Sequence, residues 1–143
     1  MMNEQVRKIM TKNPVTAAPQ QNITEVFSLM RDKKLQQLPV VDKGQLVGLI
    51  TTYDLWKDAK SADHENKKVA DIMNTNVLTI TPLDKVGTAA ELFIDRRFKT
   101  LPVVNLRNEL KGVVTAFDVI KHVFIQEYPE PILYRKTLLE DEE

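Results

Sequence analysis

The sequence contains no cysteine, and its two histidines, His64 and His122, lie far apart in the chain. The absence of cysteine excludes a disulfide framework, a thiolate zinc site and a cysteine nucleophile. Two distant histidines offer little material for a metal site or a catalytic cluster, so we predict neither a bound metal nor catalytic residues. Only four glycines are present, and the Walker loop, GxGxxG and HExxH motifs are all missing. These absences predict a protein that is not an enzyme.

An excess of one charge and a long apolar run are missing as well. Lysine and arginine together number 20, as do aspartate and glutamate, so no overall field draws the chain to nucleic acid or an anionic membrane. No apolar run approaches the roughly 20 residues that span a bilayer. The first ten residues, MMNEQVRKIM, are polar and unlike a signal peptide. We therefore expect a soluble, cytoplasmic protein.

The most informative feature of the sequence is an internal repeat. At an offset of 63 residues two pairs of segments align, and after an insertion of one residue a third pair aligns at an offset of 64. The insertion falls between two predicted strands, where a loop tolerates an extra residue. The pairs are VRKIMTKNPVTAAP with VADIMNTNVLTITP, LPVVD with LPVVN, and LVGLITTYD with LKGVVTAFD. We infer a duplication with repeats at 1–60 and 69–128, a polar linker at 61–68 and a C-terminal appendage at 129–143.

Each repeat predicts the element order β-α-β-β-α after a short helical turn. Apolar residues at helical spacing predict the turn and a later amphipathic helix, and a plausible Asn22 cap precedes that helix in the first repeat. Two apolar, β-branched runs predict a hairpin, and a Thr-x-x-Asp sequence opens the last helix. The apolar stripe of the helix is Ile23, Val26, Phe27 and Met30 in the first repeat and Val86, Ala89, Ala90 and Phe93 in the second. The extended segments that precede these helices are 14–17 and 77–80. The hairpins are 38–42 with 46–50 and 101–105 with 110–114.

The repeated sequences IMTKNPVT, LPVVD and LVGLITTYDL, with IMNTNVLT, LPVVN and LKGVVTAFDV, resemble the tandem CBS domain pair, named for cystathionine β-synthase. The resemblance covers roughly residues 6–122. It implies an α/β (α+β) fold in which two β-α-β-β-α repeats pack with pseudo-two-fold symmetry. It also implies a regulatory module that binds an adenosine-containing ligand, such as AMP, ADP, ATP or S-adenosylmethionine, in clefts between the repeats. A homodimer and an unidentified effector protein are further expectations, and the chain's length leads us to expect a stand-alone pair.

The two Thr-x-x-Asp sequences, Thr51 to Asp54 and Thr115 to Asp118, allow two interpretations. In the first, each is the N-terminal cap of a helix. A reciprocal capping box favours the longer side chains of Glu or Gln at the fourth position, so aspartate there indicates more than a cap. In the second, the carboxylate accepts hydrogen bonds from both ribose hydroxyls. The resemblance assigns the aspartates to the ribose and the threonines to the phosphate side of the ligand.

Further candidate residues come from the resemblance alone. It places the extended segments beside the adenine and the sugar, and the residues around the first proline of each hairpin in the cleft. No aromatic residue or histidine precedes either proline, which removes an obvious partner for base stacking. We predict Tyr53 and Phe117 to pack in the core instead. The remaining predicted ligand-binding residues are Thr16, Gln37, Pro39, Thr79, Thr100 and Pro102.

A group of basic residues near the second hairpin predicts a solvated face, or a phosphate site where several of them converge on a cleft. In the latter case the sulfonium cation of S-adenosylmethionine would be disfavoured. Two other functions stay open: a scaffold or dimerisation module without a small ligand, and single-stranded nucleic acid binding, which only this basic group favours. The basic residues are Arg96, Arg97, Lys99, Arg107 and Lys111.

Overall fold

The computed structural model describes residues 2–96 and 99–128; Arg97 and the predicted appendage at 129–143 lie outside the described residues. Short 3-10 turns occupy Val6–Lys8 and His64–Asn66. The strands are β1 (Thr11–Lys12), β2 (Gln37–Asp42), β3 (Gln45–Thr51), β4 (Thr100–Val104) and β5 (Leu110–Thr115); the helices are α1 (Ile23–Lys33), α2 (Thr52–Asp58), α3 (Val69–Ile72), α4 (Val86–Arg96) and α5 (Ala116–Glu127). In the part of the chain that is described, no helix combines the length and apolar character of a membrane span.

Helix α1 forms where the sequence predicts it. The Asn22 side chain accepts a hydrogen bond from the Thr24 N–H at 2.9 Å, which satisfies one of the free donors of the first turn. Lys34 adopts a left-handed conformation with φ of 56° and ends the helix. The predicted stripe is buried except at Phe27, which is 47% exposed. Including Phe27 in the core face was therefore wrong, because the apolar face of α1 is narrower than predicted.

Both predicted hairpins are present and share one register. Strand β2 pairs with β3, and β4 with β5, each with a β-bulge near the turn. The loop is two residues long in the first repeat and five in the second, so the inserted residue lies in a loop, as predicted. Pro39 and Pro102 are the third residues of their strands and do not begin them. This position is tolerated because each proline nitrogen faces away from its hairpin partner, towards Ala17 and Ile80 respectively.

The extended segments that precede α1 and α4 contribute one bridge each and not a full strand. Ala17 pairs in parallel with Val40, and Ile80 with Val103. The Ala17 N–H donates to the Pro39 carbonyl at 2.9 Å, and the Ala17 carbonyl accepts from the Val41 N–H at 2.8 Å. The predicted segments 14–17 and 77–80 are therefore shorter in the fold, since only their last residue reaches the hairpin.

The opening segments of the two repeats are exchanged, a feature that the sequence did not predict. Strand β1, from the first repeat, pairs antiparallel with β5 of the second, with Lys12 opposite Gly112. Reciprocally, Asn74 of the second repeat pairs with Leu49 in β3 of the first, through two hydrogen bonds of 2.9 Å. Each hairpin is therefore flanked on one side by its own repeat and on the other by the opposite repeat.

Two hydrophobic cores follow this exchange. The core of the first repeat includes Val69, and the core of the second includes Val6; both valines are fully buried. The other buried residues of each core come from one repeat, while partly buried residues of the opposite opening segment, Ile9 and Met10 or Ile72 and Met73, pack against it. Neither repeat supplies its whole core by itself, because one buried valine in each core comes from the opposite repeat.

The loops of the two hairpins also contact each other. The Asn108 side chain donates to the Leu46 carbonyl at 2.8 Å, and the Leu46 N–H donates to the Asn108 carbonyl at 3.0 Å. The Leu110 N–H donates to the Gly44 carbonyl at 3.3 Å. The two repeats are therefore joined edge to edge at the hairpin loops as well as through the exchanged openings.

Candidate functional site

The first Thr-x-x-Asp sequence forms a capping box where β3 passes into α2. The Thr51 hydroxyl accepts from the Asp54 N–H at 3.1 Å, and Asp54 Oδ2 accepts from the Thr51 N–H at 3.1 Å. The same carboxylate oxygen accepts from the Thr51 hydroxyl at 2.9 Å. The half-buried side chains therefore satisfy one another at the start of the helix.

The second Thr-x-x-Asp sequence repeats this geometry between β5 and α5. The Thr115 hydroxyl accepts from the Asp118 N–H at 3.1 Å, and Asp118 Oδ2 accepts from the Thr115 N–H at 2.9 Å. Burial raises the pKa of the Asp118 carboxyl, while the hydrogen bond from Thr115 and the charge of Lys121 offset part of that rise. Asp118 is thus an acceptor held in a partly desolvated position.

The short side chain of aspartate is no sign of a role beyond the cap, contrary to the prediction. Both boxes close, because the extended backbone of Thr51 and Thr115 brings the N–H of each cap residue within reach of the shorter carboxylate. Among the described residues, Oδ2 is the oxygen that accepts the hydrogen bonds of each carboxylate. The cap therefore leaves the second carboxylate oxygen as an acceptor, and the cap and ligand interpretations are compatible.

A cleft of about 760 Å³ lies beside the second box, between α5 and the opening segment of the first repeat. We call it the Asp118 cleft. Its two walls come from different repeats, because β1 packs beside β5. It is lined by Lys8, Ile9, Met10, Thr11, Lys12, Phe117, Asp118, Lys121, His122, Ile125 and Gln126.

The Asp118 cleft contains three lysines and one carboxylate. Lys8 and Lys12 belong to the opening segment, and Lys121 lies on α5 one turn after Asp118. Lys8 also pairs with Glu4 at 3.1 Å, an interaction that lowers the pKa of the Glu4 carboxyl. The cleft thus offers positive charge on both walls and an acceptor at one end.

A second cleft, of about 310 Å³, lies beside the first box, and we call it the Thr51 cleft. It too is walled by both repeats. The Lys99 ammonium donates to Gln36 Oε1 across it at 3.3 Å. The side-chain oxygen of Gln37 is buried there without a hydrogen-bond partner among the described residues. The cleft is lined by Gln36, Gln37, Leu49, Thr51, Thr52, Tyr53, Lys99 and Thr100.

The structure brings together some of the predicted site residues and separates others. Gln37, Thr51 and Thr100 line the Thr51 cleft, and Asp118 lines the other. Asp54 and Thr115 line neither cleft, although each is hydrogen-bonded to a capping partner that does. Four other predicted residues line neither cleft: Pro39 and Pro102 are buried within strands, Thr16 is exposed and Thr79 is half-buried.

The aromatic residues of both clefts and the lysines of the Asp118 cleft were not predicted as site residues, whereas Lys99 of the Thr51 cleft belongs to the predicted basic group. Tyr53 and Phe117 do not pack in a core: they are 62% and 55% exposed, and each lines a cleft. An aromatic residue two positions after Thr in both repeats was the available signal. Lys12 and Lys121 gave no such signal, because only the exchange of the openings places them together.

No group of three histidine or acidic side chains within 2–96 and 99–128 is placed to hold a metal ion.

Comparison with known proteins finds one matching family. The model of the CBS domain matches residues 6–55 and 69–125, once in each repeat. Among sequence relatives, the inosine-5'-monophosphate dehydrogenase of Methanocaldococcus jannaschii is 31% identical over 133 residues, which cover 92% of this chain and 25% of the enzyme. The chain spans 25% to 47% of the length of its first sequence relatives.

Two solved structures resemble the chain over most of its length. The protein CBSX2 in complex with AMP has a TM-score of 0.77 and 26% identity, with 86% of this chain and 98% of that chain covered. The CBS domain pair of protein MJ0100, in complex with 5'-methylthioadenosine and S-adenosyl-L-methionine, has a TM-score of 0.73 and 30% identity, with 87% and 98% covered. Both comparisons agree with the mixed helix and strand content and the paired repeats described above.

Proposed function

The chain belongs to the CBS domain family, and from that membership we propose that it is a regulatory module that reversibly binds an adenine nucleotide in the clefts between its two repeats. The ligand is AMP, ADP or ATP, and the module carries out no reaction. Binding would act by linkage, because a ligand that prefers one arrangement of the protein shifts its population. An effector protein would respond to that shift.

The observation that carries the proposal is the composition of the Asp118 cleft. A carboxylate with one oxygen outside the capping box can accept hydrogen bonds from a ribose diol. Lysines on both walls can pair with a phosphate. A sugar acceptor and phosphate partners within one cleft of about 760 Å³ are the chemistry that a nucleotide needs.

Aromatic side chains supply a surface for the base. Phe117 lines the Asp118 cleft and Tyr53 the Thr51 cleft, in both cases one residue before the aspartate of the box. Their exposure leaves ring surface available for stacking on a purine. This arrangement takes the place of the aromatic residue that is missing before Pro39 and Pro102.

The charges favour a nucleotide over S-adenosylmethionine. The sulfonium of that ligand is a cation, and Lys8, Lys12 and Lys121 would repel it in the Asp118 cleft. The phosphate of a nucleotide is attracted by the same lysines. The complexes of CBSX2 with AMP and of the MJ0100 pair with adenosine derivatives are consistent with an adenosine ligand.

The test separates the ligand role of the aspartates from their role as caps. Asp54→Asn and Asp118→Asn keep an oxygen that can accept the N–H of Thr51 or Thr115, but they lose the charge and the second acceptor. Thermal shifts are measured with AMP, ADP, ATP and S-adenosylmethionine on wild type and both variants. A ligand at 100 times its dissociation constant adds about 2.7 kcal/mol of stability, or several degrees in Tm.

We expect a nucleotide to stabilise the wild type and at least one asparagine variant to lose that shift while it stays folded. Loss of the shift in one variant alone identifies the occupied site. If no compound shifts the wild type and both variants melt like it, the Thr-x-x-Asp sequences act as caps only. The protein is then a ligand-free scaffold or dimerisation module.

We also propose that the module is a homodimer. Trp56 on α2 and Ile120 on α5 occupy matching positions, five residues after the cap threonine, and are 61% and 64% exposed. A second copy of the chain would cover such a pair with its own equivalent pair. Light scattering of wild type and a Trp56→Glu/Ile120→Glu variant tests this, since a dimer in the wild type and a monomer in the variant are expected. A monomeric wild type would refute it.

A further inference from the structure

We infer that the two clefts take ligands of different charge: the Asp118 cleft takes a nucleoside polyphosphate, and the Thr51 cleft takes a ligand with at most one phosphate. The inference rests on the proposed function and adds the ligand class of each site. Its basis is the difference in charge and volume between two clefts that the internal repeat would otherwise make equivalent.

The Asp118 cleft carries the larger positive charge. Lys8, Lys12 and Lys121 contribute three cations, with His122 beside them, against the single carboxylate of Asp118. Lys8 is partly neutralised by Glu4 at 3.1 Å, while the Lys12 side chain is exposed. Even with Lys8 discounted, two lysines remain as phosphate partners against one in the Thr51 cleft, so the Asp118 cleft favours a ligand with several negative charges.

The order of groups along α5 suits an extended ligand. Asp118 lies in the first turn, Lys121 and His122 follow at three and four positions, and Gln126 lies two turns after Asp118. Residues at these spacings share one helix face. With a ribose at Asp118, a phosphate chain that follows α5 meets Lys121 one turn further on. Lys12 lines the opposite wall of the Asp118 cleft.

The Thr51 cleft is smaller and has fewer cations in its lining. Its volume of about 310 Å³ is at the lower limit of the roughly 300–1,000 Å³ typical of ligand pockets. Lys99 is the single charged residue in its lining, and its ammonium already donates to Gln36. The other polar groups are uncharged hydroxyls and amides. A polyphosphate would find one cation there, which suits a nucleoside or a nucleoside monophosphate.

The experiment is calorimetric titration of the full chain with AMP, ADP and ATP, without divalent cations because these would neutralise the phosphates. The test variant is Lys12→Gln/Lys121→Gln. The matched control is Lys33→Gln/Lys57→Gln, which removes the same charge from two exposed residues that line neither cleft. Circular dichroism checks the fold, and the two single variants replace the double variant if it does not fold.

We expect wild type to bind ATP more tightly than AMP at one site, with little preference at the other. Each exposed ion pair contributes a factor of up to about five. Removing two lysines should therefore reduce the preference for ATP by a factor of up to about 25, and the control should leave it unchanged. The effect should weaken with added salt, which screens the lysines.

Two other outcomes are distinguishable. If nucleotides bind but wild type does not prefer ATP, or if the Lys12→Gln/Lys121→Gln variant keeps the preference, the inference is overturned while the proposed function stands. If none of the three nucleotides binds to wild type, the proposed function is overturned and the inference with it.

Discussion

Gly112 of the second repeat lies directly against Thr11 of the first: a Cβ atom on residue 112 would stand 2.6 Å from the Thr11 carbonyl oxygen. Gly48 has the equivalent relationship to the second repeat, with a Cβ 2.7 Å from the Met73 sulfur and 3.0 Å from the Asn74 carbonyl oxygen. The glycine in each hairpin therefore allows the opening segment of the opposite repeat to pack against β5 or β3.

We predict that Gly112→Ala lowers the free energy of unfolding by roughly 1–3 kcal/mol, as overpacking does elsewhere. The added methyl group meets the backbone of β1, which cannot move without losing its pairing with β5. Gly48→Ala should cost less, because its nearest contact is the flexible Met73 side chain. Gly87→Ala is the control. Residue 87 lies in helix α4, where alanine is favoured over glycine, and the added Cβ would be 3.3 Å from the nearest atom. Urea denaturation measures all three, and equal stability of the Gly112 and Gly87 variants would contradict the prediction.

The exchanged cores lead to a second prediction. Val69→Ala should lower the free energy of unfolding by about 2 kcal/mol, because it leaves a cavity in the core of the first repeat. Val6→Ala should do the same in the second core. Val77→Ala, at a half-buried position outside both cores, is the matched control. If urea denaturation shows that Val69→Ala lowers the free energy of unfolding no more than Val77→Ala does, the exchanged valine does not stabilise the core of the first repeat.

The raised pKa of Asp118 predicts how stability depends on pH. The folded chain holds this proton more tightly than the unfolded chain, so the stabilising contribution is complete below the ordinary value of 3.8 and is lost as pH rises through the folded-state pKa. We expect the stability of wild type relative to Asp118→Asn to decline over that interval and then to stay constant. Urea denaturation of both proteins from pH 3 to pH 7 measures it, and a constant difference would refute the assignment.

Asp58 should show the opposite dependence. Its side chain accepts from the Lys67 ammonium at 2.5 Å and pairs with His64 Nδ1 at 2.7 Å, and these contacts, Lys67 first, lower its pKa. The stabilising contribution is therefore present above 3.8 and is lost as pH falls through the folded-state pKa. Asp58→Asn should be less stable than wild type at pH 7, and the gap should close in acid.

The control for Asp58 is Asp32→Asn, at an exposed position on α1. Its unfolding midpoint should stay near that of wild type between pH 3 and pH 7, since exposed ion pairs contribute little. A gap between Asp58→Asn and wild type that persists at pH 3 would show that the Lys67 and His64 contacts are not the source of the stabilisation. Because Asp58 ends α2 and Lys67 lies in the linker at 61–68, these contacts hold the linker against the end of α2.

Much of the fold was predictable from local pattern. Helical spacing of apolar residues identified α1, and the paired β-branched runs identified the two hairpins. Phe27 was placed wrongly, because spacing alone does not set the width of a buried face. Strand β1 was missed, since two polar residues, Thr11 and Lys12, form a strand only through their pairing with β5.

The candidate site was predictable in part. Asp118 and Thr51, predicted because the same four-residue sequence follows a strand in both repeats, each line a cleft, whereas their capping partners Thr115 and Asp54 line neither. The lysines of the Asp118 cleft were not, because Lys12 and Lys121 are more than a hundred positions apart in the sequence. The exposure of Tyr53 and Phe117 was missed because an aromatic residue near a helix start fits a core or a cleft equally well.

The sequence by itself determined the duplication, the order of helix, hairpin and helix in each repeat, the position of the Thr-x-x-Asp caps and the family. These properties depend on side-chain periodicity and on contacts between residues a few positions apart, which the order of residues specifies directly. Only the tertiary structure decided that the repeats exchange their opening segments, and that two otherwise equivalent clefts differ in charge and volume. Both depend on contacts between residues remote in the chain, which form only when glycines such as Gly112 let one repeat's backbone lie against the other.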